Sequence, residues 1–228
     1  MHATMFKVLI VALASTIAGQ AIAESGSKEA LAPLTAARPI HPERWVTTDD
    51  RLNSGSDGEG VTRFELTVSP VGGVVNCEVT QSSGYSVLDQ LTCSLLMKRG
   101  RFLAARDQNG QAVASTWRNM VRWIKPEHSG QPLPPPPTPD MELTVTRLPP
   151  SVKSPARVRV LAVSSSKAEL EACTKAEDEG SDALTRIACQ QLATSGLLRD
   201  FQNSHSPSQR IMRAYTIAFA TEAGGSQQ

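Results

Sequence analysis

The four cysteines of this chain fall into two pairs with the same spacing. Fifteen residues separate Cys77 from Cys93, and fifteen separate Cys173 from Cys189. A shift of 96 positions superimposes the two pairs and also aligns Gly84 with Gly180, Leu88 with Leu184, Leu96 with Leu192, and Gly100 with Gly196. This pattern predicts one module that occurs twice, because the aligned residues have separate physical tasks. The alternative is a coincidence of spacing in a chain with few cysteines.

The N-terminus has the pattern of a secretory signal peptide. Lys7 precedes an apolar run from Val8 to Ile17, and Ala21-Ile22-Ala23 offers small residues for cleavage before Glu24. The apolar run is too short to span a bilayer comfortably. We therefore expect residues 1–23 to be removed on export to the periplasm. The alternative is an uncleaved segment that anchors the chain in the inner membrane, facing the periplasm.

Charge and export restrict the class of partner and the state of the cysteines. Removal of residues 1–23 takes away Lys7, so the formal net charge changes from +1 to 0, which favours neither nucleic acid nor anionic lipid. Disulfides persist in the periplasm, and the repeat favours the local pairing among the three that four cysteines allow. A redox role is the alternative, but a gap of fifteen residues is unlike the Cys-x-x-Cys motif.

Composition divides the rest of the chain into segments. We predict a disordered leader at residues 24–40, a first module at 41–125, a Pro-rich linker at 126–140, a second module at 141–222 and a tail at 223–228. The linker contains four consecutive prolines from Pro134 to Pro137, which favour polyproline II and a semi-rigid spacer. An SH3-type ligand is the alternative for this run.

Alternating apolar and polar residues predict a hairpin in the first module. One half-buried strand precedes a turn at residues 70–73, and a second strand follows it. The residues expected to face inward are Phe64, Leu66, Val68, Val75, Cys77 and Val79.

A helix and a closing strand complete this module. Ser86 and Asp89 form a capping-box pattern, and Gly100 is expected to end the helix. After a turn at residues 107–110, the closing strand is predicted to place its apolar residues on one face. The predicted helix stripe is Leu88, Leu91, Leu95 and Leu96, and the predicted strand face is Val113, Trp117, Val121 and Trp123. The tryptophans are interpreted as core residues, with a ligand platform as the alternative.

The second half shows the same pattern more faintly. Val158 and Val160 start a strand, and residues 164–166 form its turn. Asp182 is predicted to cap the N-terminus of the helix, as Ser86 is in the first module. The predicted apolar positions are Leu184, Ile187 and Leu192 on the helix, and Ile211, Tyr215, Ile217 and Phe219 on the closing strand. We predict an α+β fold of two tandem small modules, each a short antiparallel sheet (β-β-α-β) packed on a helix.

The stretch from Phe64 to Trp123 resembles the TonB C-terminal domain family. The matching residues are Gly72-Gly73-Val74-Val75, Ser82-Ser83-Gly84, Leu88-Asp89, Arg101-Phe102, the turn at 107–110 and Val121-Arg122-Trp123. The cysteine pair resembles a subgroup in which strand and helix are cross-linked, and the second module is interpreted as a diverged repeat. Arg51-Leu52 stands where the family commonly has Tyr-Pro.

The resemblance implies a periplasmic domain that binds a short peptide of outer-membrane transporters as an added strand. A small antiparallel sheet leaves edges with unpaired N–H and C=O groups, so this mode of binding is physically reasonable. We predict that the last strand is the binding edge. The candidate residues on its outward face are Thr116, Arg118, Met120 and Arg122, and the two arginines are expected to orient an acidic peptide.

Motifs for catalysis or metal binding are absent from the sequence. The histidines, at positions 2, 41, 128 and 205, are widely separated, and no Gly-x-Ser-x-Gly elbow occurs. We predict a protein without enzymatic activity, cofactor or metal that binds a transporter peptide or another envelope protein in TonB-dependent transport. A periplasmic structural or assembly factor is the first alternative and an envelope hydrolase the second; a dimer is left open.

Overall fold

The computed structural model describes residues 32–130, 132–176, 181–205 and 209–221. The predicted signal peptide, the first part of the leader and the C-terminal tail therefore lie outside the described residues. Within those ranges, no helix is both long and apolar enough to cross a membrane.

The described chain contains ten strands and four α-helices. The strands are β1 (Arg38–Pro39), β2 (Gly60–Val68), β3 (Val74–Gln81), β4 (Phe102–Leu103), β5 (Ala105–Arg106), β6 (Ala112–Trp123), β7 (Met141–Val145), β8 (Ala156–Ser164), β9 (Leu170–Lys175) and β10 (Ile211–Thr221). The helices are α1 (Thr48–Leu52), α2 (Ser86–Arg99), α3 (Asp182–Thr194) and α4 (Leu197–His205). The predicted α+β class is confirmed.

One continuous sheet runs through both halves of the chain, in the order β3-β2-β6-β10-β8-β9. The two closing strands, β6 and β10, are neighbours and run parallel, with Ala114 paired to Ile211 and Ser115 to Met212. All other pairings along this order are antiparallel. Both halves therefore have the same strand order outward from the contact between β6 and β10: the closing strand, then the first hairpin strand, then the second hairpin strand.

Three elements of the second half, β8, β9 and α3, begin where the shift of 96 residues places them. β2 spans Gly60–Val68 and β8 spans Ala156–Ser164, while α2 begins at Ser86 and α3 at Asp182. A duplication predicts this agreement, and the repeat itself stays a prediction.

The two long helices pack on opposite faces of the sheet. Leu96 of α2 packs with Phe64 and Leu66 in a first core, whereas Leu192 of α3 packs with Val160 in a second core. β8 contributes to both cores, because Leu161 and Val163 join the first core and Val158, Val160 and Ala162 join the second. The first half thus completes its core with side chains from the second.

Residues of the predicted leader and of the predicted linker pack on this sheet. Thr35 exchanges backbone hydrogen bonds with Arg106, and Ala37 is buried, so residues 32–40 are part of the fold rather than a disordered leader. In the Pro-rich segment, the carbonyl of Pro135 accepts from Arg63 and that of Pro137 accepts from Arg157. The linker therefore lies against both halves.

The hairpin in the first half differs from its predicted exposure in two ways. Glu65 and Thr67, expected on a solvated face, are only 3% and 6% exposed, and Arg213 of the second half contacts Glu65. On β3, Val74 is buried and Val75 is 55% exposed, so the inward position predicted for Val75 was wrong. A register shift between Thr67 and Val68 in the β2–β3 ladder accounts for this change of face.

The predicted capping box at Ser86 and Asp89 does not form. Tyr85 is the N-cap of α2 and makes no side-chain cap. The Asp89 carboxylate instead accepts from the hydroxyls of Thr62 and Ser82 and from the backbone N–H of Ser83. Burial alone would raise the pKa of Asp89, but these hydrogen bonds lower it below its ordinary value.

The second helix also begins one residue earlier than predicted. Ser181, not Asp182, is the N-cap of α3, and its hydroxyl accepts from the N–H of Leu184. Leu184 and Leu192 are buried as predicted, but Ile187 is 36% exposed and its neighbour Ala188 is buried instead, so the position predicted for Ile187 was wrong.

Both predicted disulfides are present. Cys77 of β3 is bonded to Cys93 of α2, and Cys173 of β9 is bonded to Cys189 of α3. Each bond therefore attaches a helix to the outermost strand of its own half.

We expect removal of either disulfide to lower stability by a similar amount. Each closes a loop with a sequence separation of 16 residues, for which the chain-entropy account gives about 3 kcal/mol. Urea unfolding of Cys77→Ser/Cys93→Ser, compared with Cys173→Ser/Cys189→Ser, measures both values. Two stabilities that stay at the wild-type value would contradict a stabilising role for the bonds.

Candidate functional site

The four predicted edge residues lie on β6, on the face opposite α2. Thr116, Arg118, Met120 and Arg122 pair across the ladder with Thr67, Glu65, Arg63 and Val61. On the other face, Trp117 packs against Phe102 and Phe64, with ring centroids 5.3 Å and 5.9 Å apart. The tryptophan is thus a core residue, as predicted, although it also borders a cavity described below.

One edge of β6 is closed near its start and open further along. β2 pairs with residues 115–123 on one side, and β10 pairs with Ala114 and Ser115 on the other. Beyond Ser115, no strand of the described ranges pairs with that second side. The N–H of Met120 donates to Oδ1 of its neighbour Asn119 over 2.9 Å. The second half therefore covers the predicted binding edge only in part.

A cavity of about 560 Å³ lies beside the open part of this edge. One wall is β6 itself, with Trp117, Val121 and Trp123 in the lining. The opposite wall comes from residues 42–52, and Phe64 and Leu96 add apolar surface between the walls. The cavity thus combines an apolar interior with strand backbone at its border, which is the combination that an added strand with alternating side chains requires.

Two interactions hold the outer wall of the cavity in place. Trp45 is buried, donates from Nε1 to the carbonyl of Ile40 over 3.1 Å, and has its ring centroid 5.0 Å from that of Phe102. Asp50 of α1 forms an ion pair with Arg99 at the end of α2, with a shortest N–O distance of 2.6 Å. Hydrogen bonding from Arg99 lowers the pKa of Asp50 to about 2.

Arg118 is bound inside the chain. Its Nε lies 2.8 Å from Oε2 of Glu65, and its Nη2 lies 2.8 Å from Oδ1 of Asp140. Arg213 of β10 reaches the same Glu65 oxygen at 3.0 Å. The four groups, Glu65, Arg118, Asp140 and Arg213, form a cluster that we call the joint cluster. The acidic partner expected for Arg118 is thus found within the chain, in Asp140.

Sequence reasoning missed the residues that complete this region. Trp45, Arg51 and Leu52 line the cavity, yet no strand or helix pattern marked residues 41–52. Asp140 lies at the end of the Pro-rich segment, where only a spacer was predicted. The shift of 96 residues could have found both. It makes residues 45–49 equivalent to β7, the strand that directly follows Asp140.

The described residues show no metal centre. Across ranges 32–130, 132–176, 181–205 and 209–221, no three side chains of metal-binding type come together. The arrangement at β6 offers backbone hydrogen-bonding groups, aromatic surface and arginine charge, which suit the binding of an extended peptide.

A comparison with protein families adds one match. Residues 56–124 match the family model described as the Gram-negative bacterial TonB protein C-terminal. These 69 of 228 residues begin shortly before β2 and end just after β6, so they include the open edge. No curated protein and no solved structure matches the chain significantly.

We expect Arg118→Ala to destabilise the fold. It would leave the carboxylate of Glu65, only 3% exposed, with a single arginine, and the loss of one partner of a buried pair costs about 3 kcal/mol. Thermal and urea unfolding measure this loss, with Arg101→Ala, at an exposed site, as the control. Equal stabilities of the two variants would show that the joint cluster does not support the fold.

A second expectation concerns pH and the cavity wall. The pKa of Asp50 is about 2 in the folded chain, below its ordinary value of 3.8, so its ionised form stabilises the fold above pH 3.8. This contribution is lost as the pH falls from about 4 to about 2. The difference in melting temperature between wild type and Asp50→Asn should therefore shrink over that interval, while Asp49→Asn, on the exposed neighbour, should show no such trend. A difference that does not vary with pH would contradict the ion pair.

Proposed function

We propose that this chain, whose residues 56–124 form a TonB C-terminal domain, is a periplasmic envelope protein that takes part in TonB-dependent transport. It binds an extended segment of a protein partner, which adds as a strand to the open edge of β6. The partner class that the family implies is a short peptide of an outer-membrane transporter. In this role the chain acts by binding and not as an enzyme.

The observation that carries this proposal is the coincidence of an open strand edge with an apolar cavity. Residues 116–123 lack a second neighbouring strand within the described ranges, and the cavity of about 560 Å³ runs along them. In strand addition, backbone hydrogen bonds supply affinity, and pockets for alternate side chains supply specificity. Val121 would contact those side chains, because it lines the cavity and is only partly buried.

The predicted arginines take different roles in this proposal. Arg118 positions the β6 edge against the second half through Glu65 and Asp140, and does not itself contact the partner. Arg122 lines the cavity and, together with Lys125, brings positive charge close to the bound segment. An acidic residue in the peptide is therefore favoured at the end of β6 rather than at its middle.

The second half supports a scaffold role in addition to binding. It supplies Leu161, Val163 and Met212 to the first core and covers the start of the β6 edge. A periplasmic structural or assembly factor without energy coupling is therefore the second candidate function. The two candidates make different predictions for residues 1–23, because an uncleaved segment would favour energy coupling and cleavage after Ala23 would favour the scaffold role.

Removal of one backbone donor tests binding at the edge. The N–H of Met120 bonds a side chain, Asn119 Oδ1, so a proline there removes an edge donor while the ladder to β2 is kept. We expect Met120→Pro to weaken binding of labelled peptides from the periplasmic segments of TonB-dependent transporters at least tenfold. Met120→Ala, which keeps the N–H, should bind within twofold of the wild type, as measured by fluorescence anisotropy.

The outcome is decided by the difference between the two variants. Equal affinity of Met120→Pro and Met120→Ala, with both folded by near-UV circular dichroism, would place any binding elsewhere than on this edge.

A further inference from the structure

β7 fills the edge of β10 in the second half at the place where the first half has its cavity. It runs parallel to β10, from Met141 paired with Ile217 to Val145 paired with Thr221. The shift of 96 residues relates β7 to residues 45–49 and this part of β10 to residues 121–125. In the first half these two stretches do not pair within the described ranges, and both contribute to the lining of the cavity. The two halves thus show one edge filled and the equivalent edge open.

Asp140 adds two hydrogen bonds to the five-residue ladder that attaches β7 to this edge. The N–H of Asp140 donates to the carbonyl of Thr216 over 2.8 Å, and the N–H of Thr216 donates to Oδ2 of Asp140 over 2.8 Å. Arg118 and Arg213 lie 2.8 Å and 3.8 Å from Oδ1 of the same carboxylate. The equivalent of Thr216 in the first half is Met120, whose N–H also bonds a side-chain oxygen, that of Asn119. Both edges therefore present a backbone donor to a polar side chain.

β7 contributes little to the rest of the fold. Met141, Leu143 and Val145 are only partly buried against the second core, and Glu142 and Thr144 are exposed. β10 is also held by β8, with which it forms nine residue pairs that do not involve β7. A strand of only five residues can detach from β10 by local opening, without loss of the core beneath it.

We propose that β7 is a resident strand that occupies a second peptide-binding edge, on β10. When β7 is displaced, this edge accepts an external extended segment with the residue pattern of positions 140–145, which is an acidic residue followed by apolar residues at alternate positions. The acidic residue takes the place of Asp140 between Arg118 and Arg213, and the apolar residues take the places of Met141, Leu143 and Val145. The inference rests on the proposed function, because it treats the edges of β6 and β10 as equivalent sites.

The hydrogen-bond pattern identifies which amides report on this edge. Thr216 directs both its N–H and its C=O towards β7, so Ala218 and Ala220 do the same. In each pair of a parallel ladder only one residue faces the other strand, so the N–H groups that face β10 are those of Met141, Leu143 and Val145. Leu143→Pro removes one of these donors, and Leu143→Ala shortens the side chain but keeps the donor, so the two variants form a matched pair.

Hydrogen exchange of the full chain provides the test. In Leu143→Pro, exchange at Ala218 and Ala220 should rise at least tenfold over that in Leu143→Ala, and a synthetic Pro-Asp-Met-Glu-Leu-Thr-Val-Thr peptide should restore protection. The same peptide with Asp replaced by Ala should restore less. Equal exchange in the two variants, or no protection by the peptide after exchange has risen, would overturn the proposal.

Two further measurements keep the result decisive. If Leu143→Pro loses its near-UV circular dichroism, Asp140→Ala replaces it, and unchanged exchange at Ala218 and Ala220 in that variant would overturn the proposal. Amides of residues 116–122 report binding at β6 separately. A transporter peptide that fails to bind there contradicts the proposed function, whereas this inference is judged only at β10.

Discussion

A buried carboxylate determines how the two halves of this protein meet. Glu65 on β2 is 3% exposed and lies within 3.0 Å of arginines from both halves, Arg118 and Arg213. A buried charge without partners is strongly destabilising, so Glu65 requires β6 and β10 to stay side by side. Asp140 completes the joint cluster and balances the second arginine, which makes two negative and two positive groups. Phe201 of α4 packs with Ala114 and Ile211 at the same junction.

This junction explains why the two halves of the chain form one sheet. Each half alone would have an α-helix on one face and a bare face on the other, with few aromatic residues to fill a core. The parallel contact of β6 with β10 lets each half cover part of the other, and Arg210 beside β10 adds an ion pair with Asp107 of the first half at 2.6 Å. The start of the β6 edge is closed as a result, and the remainder borders the cavity.

Local patterns in the sequence predicted the elements better than their contacts. The hairpin turn, the disulfides and the apolar face of β6 each depend on residues close in sequence, and these predictions were confirmed. The inward position of Val75 was wrong because a bulge opposite Thr67 changes the face, and a bulge has no clear signal in an alternating pattern. The internal partners of Arg118 were not predictable, because Glu65 and Asp140 lie 53 and 22 residues away in the chain. The wall formed by Trp45 and α1 was missed for the same reason, because its Asp50 forms an ion pair with Arg99, which lies 49 residues away.

The positions of the disulfides have a consequence for the margins of the sheet. β3 and β9 are the two terminal strands, and both carry a cysteine that is bonded to the adjacent helix. Terminal strands fray most readily and offer their free backbone groups to other copies of a protein, which leads to aggregation. A covalent tether at each margin restrains fraying where the described part of the chain supplies no further strand to do so. The sheet can therefore keep an interior edge available for recognition while its outer limits stay fixed.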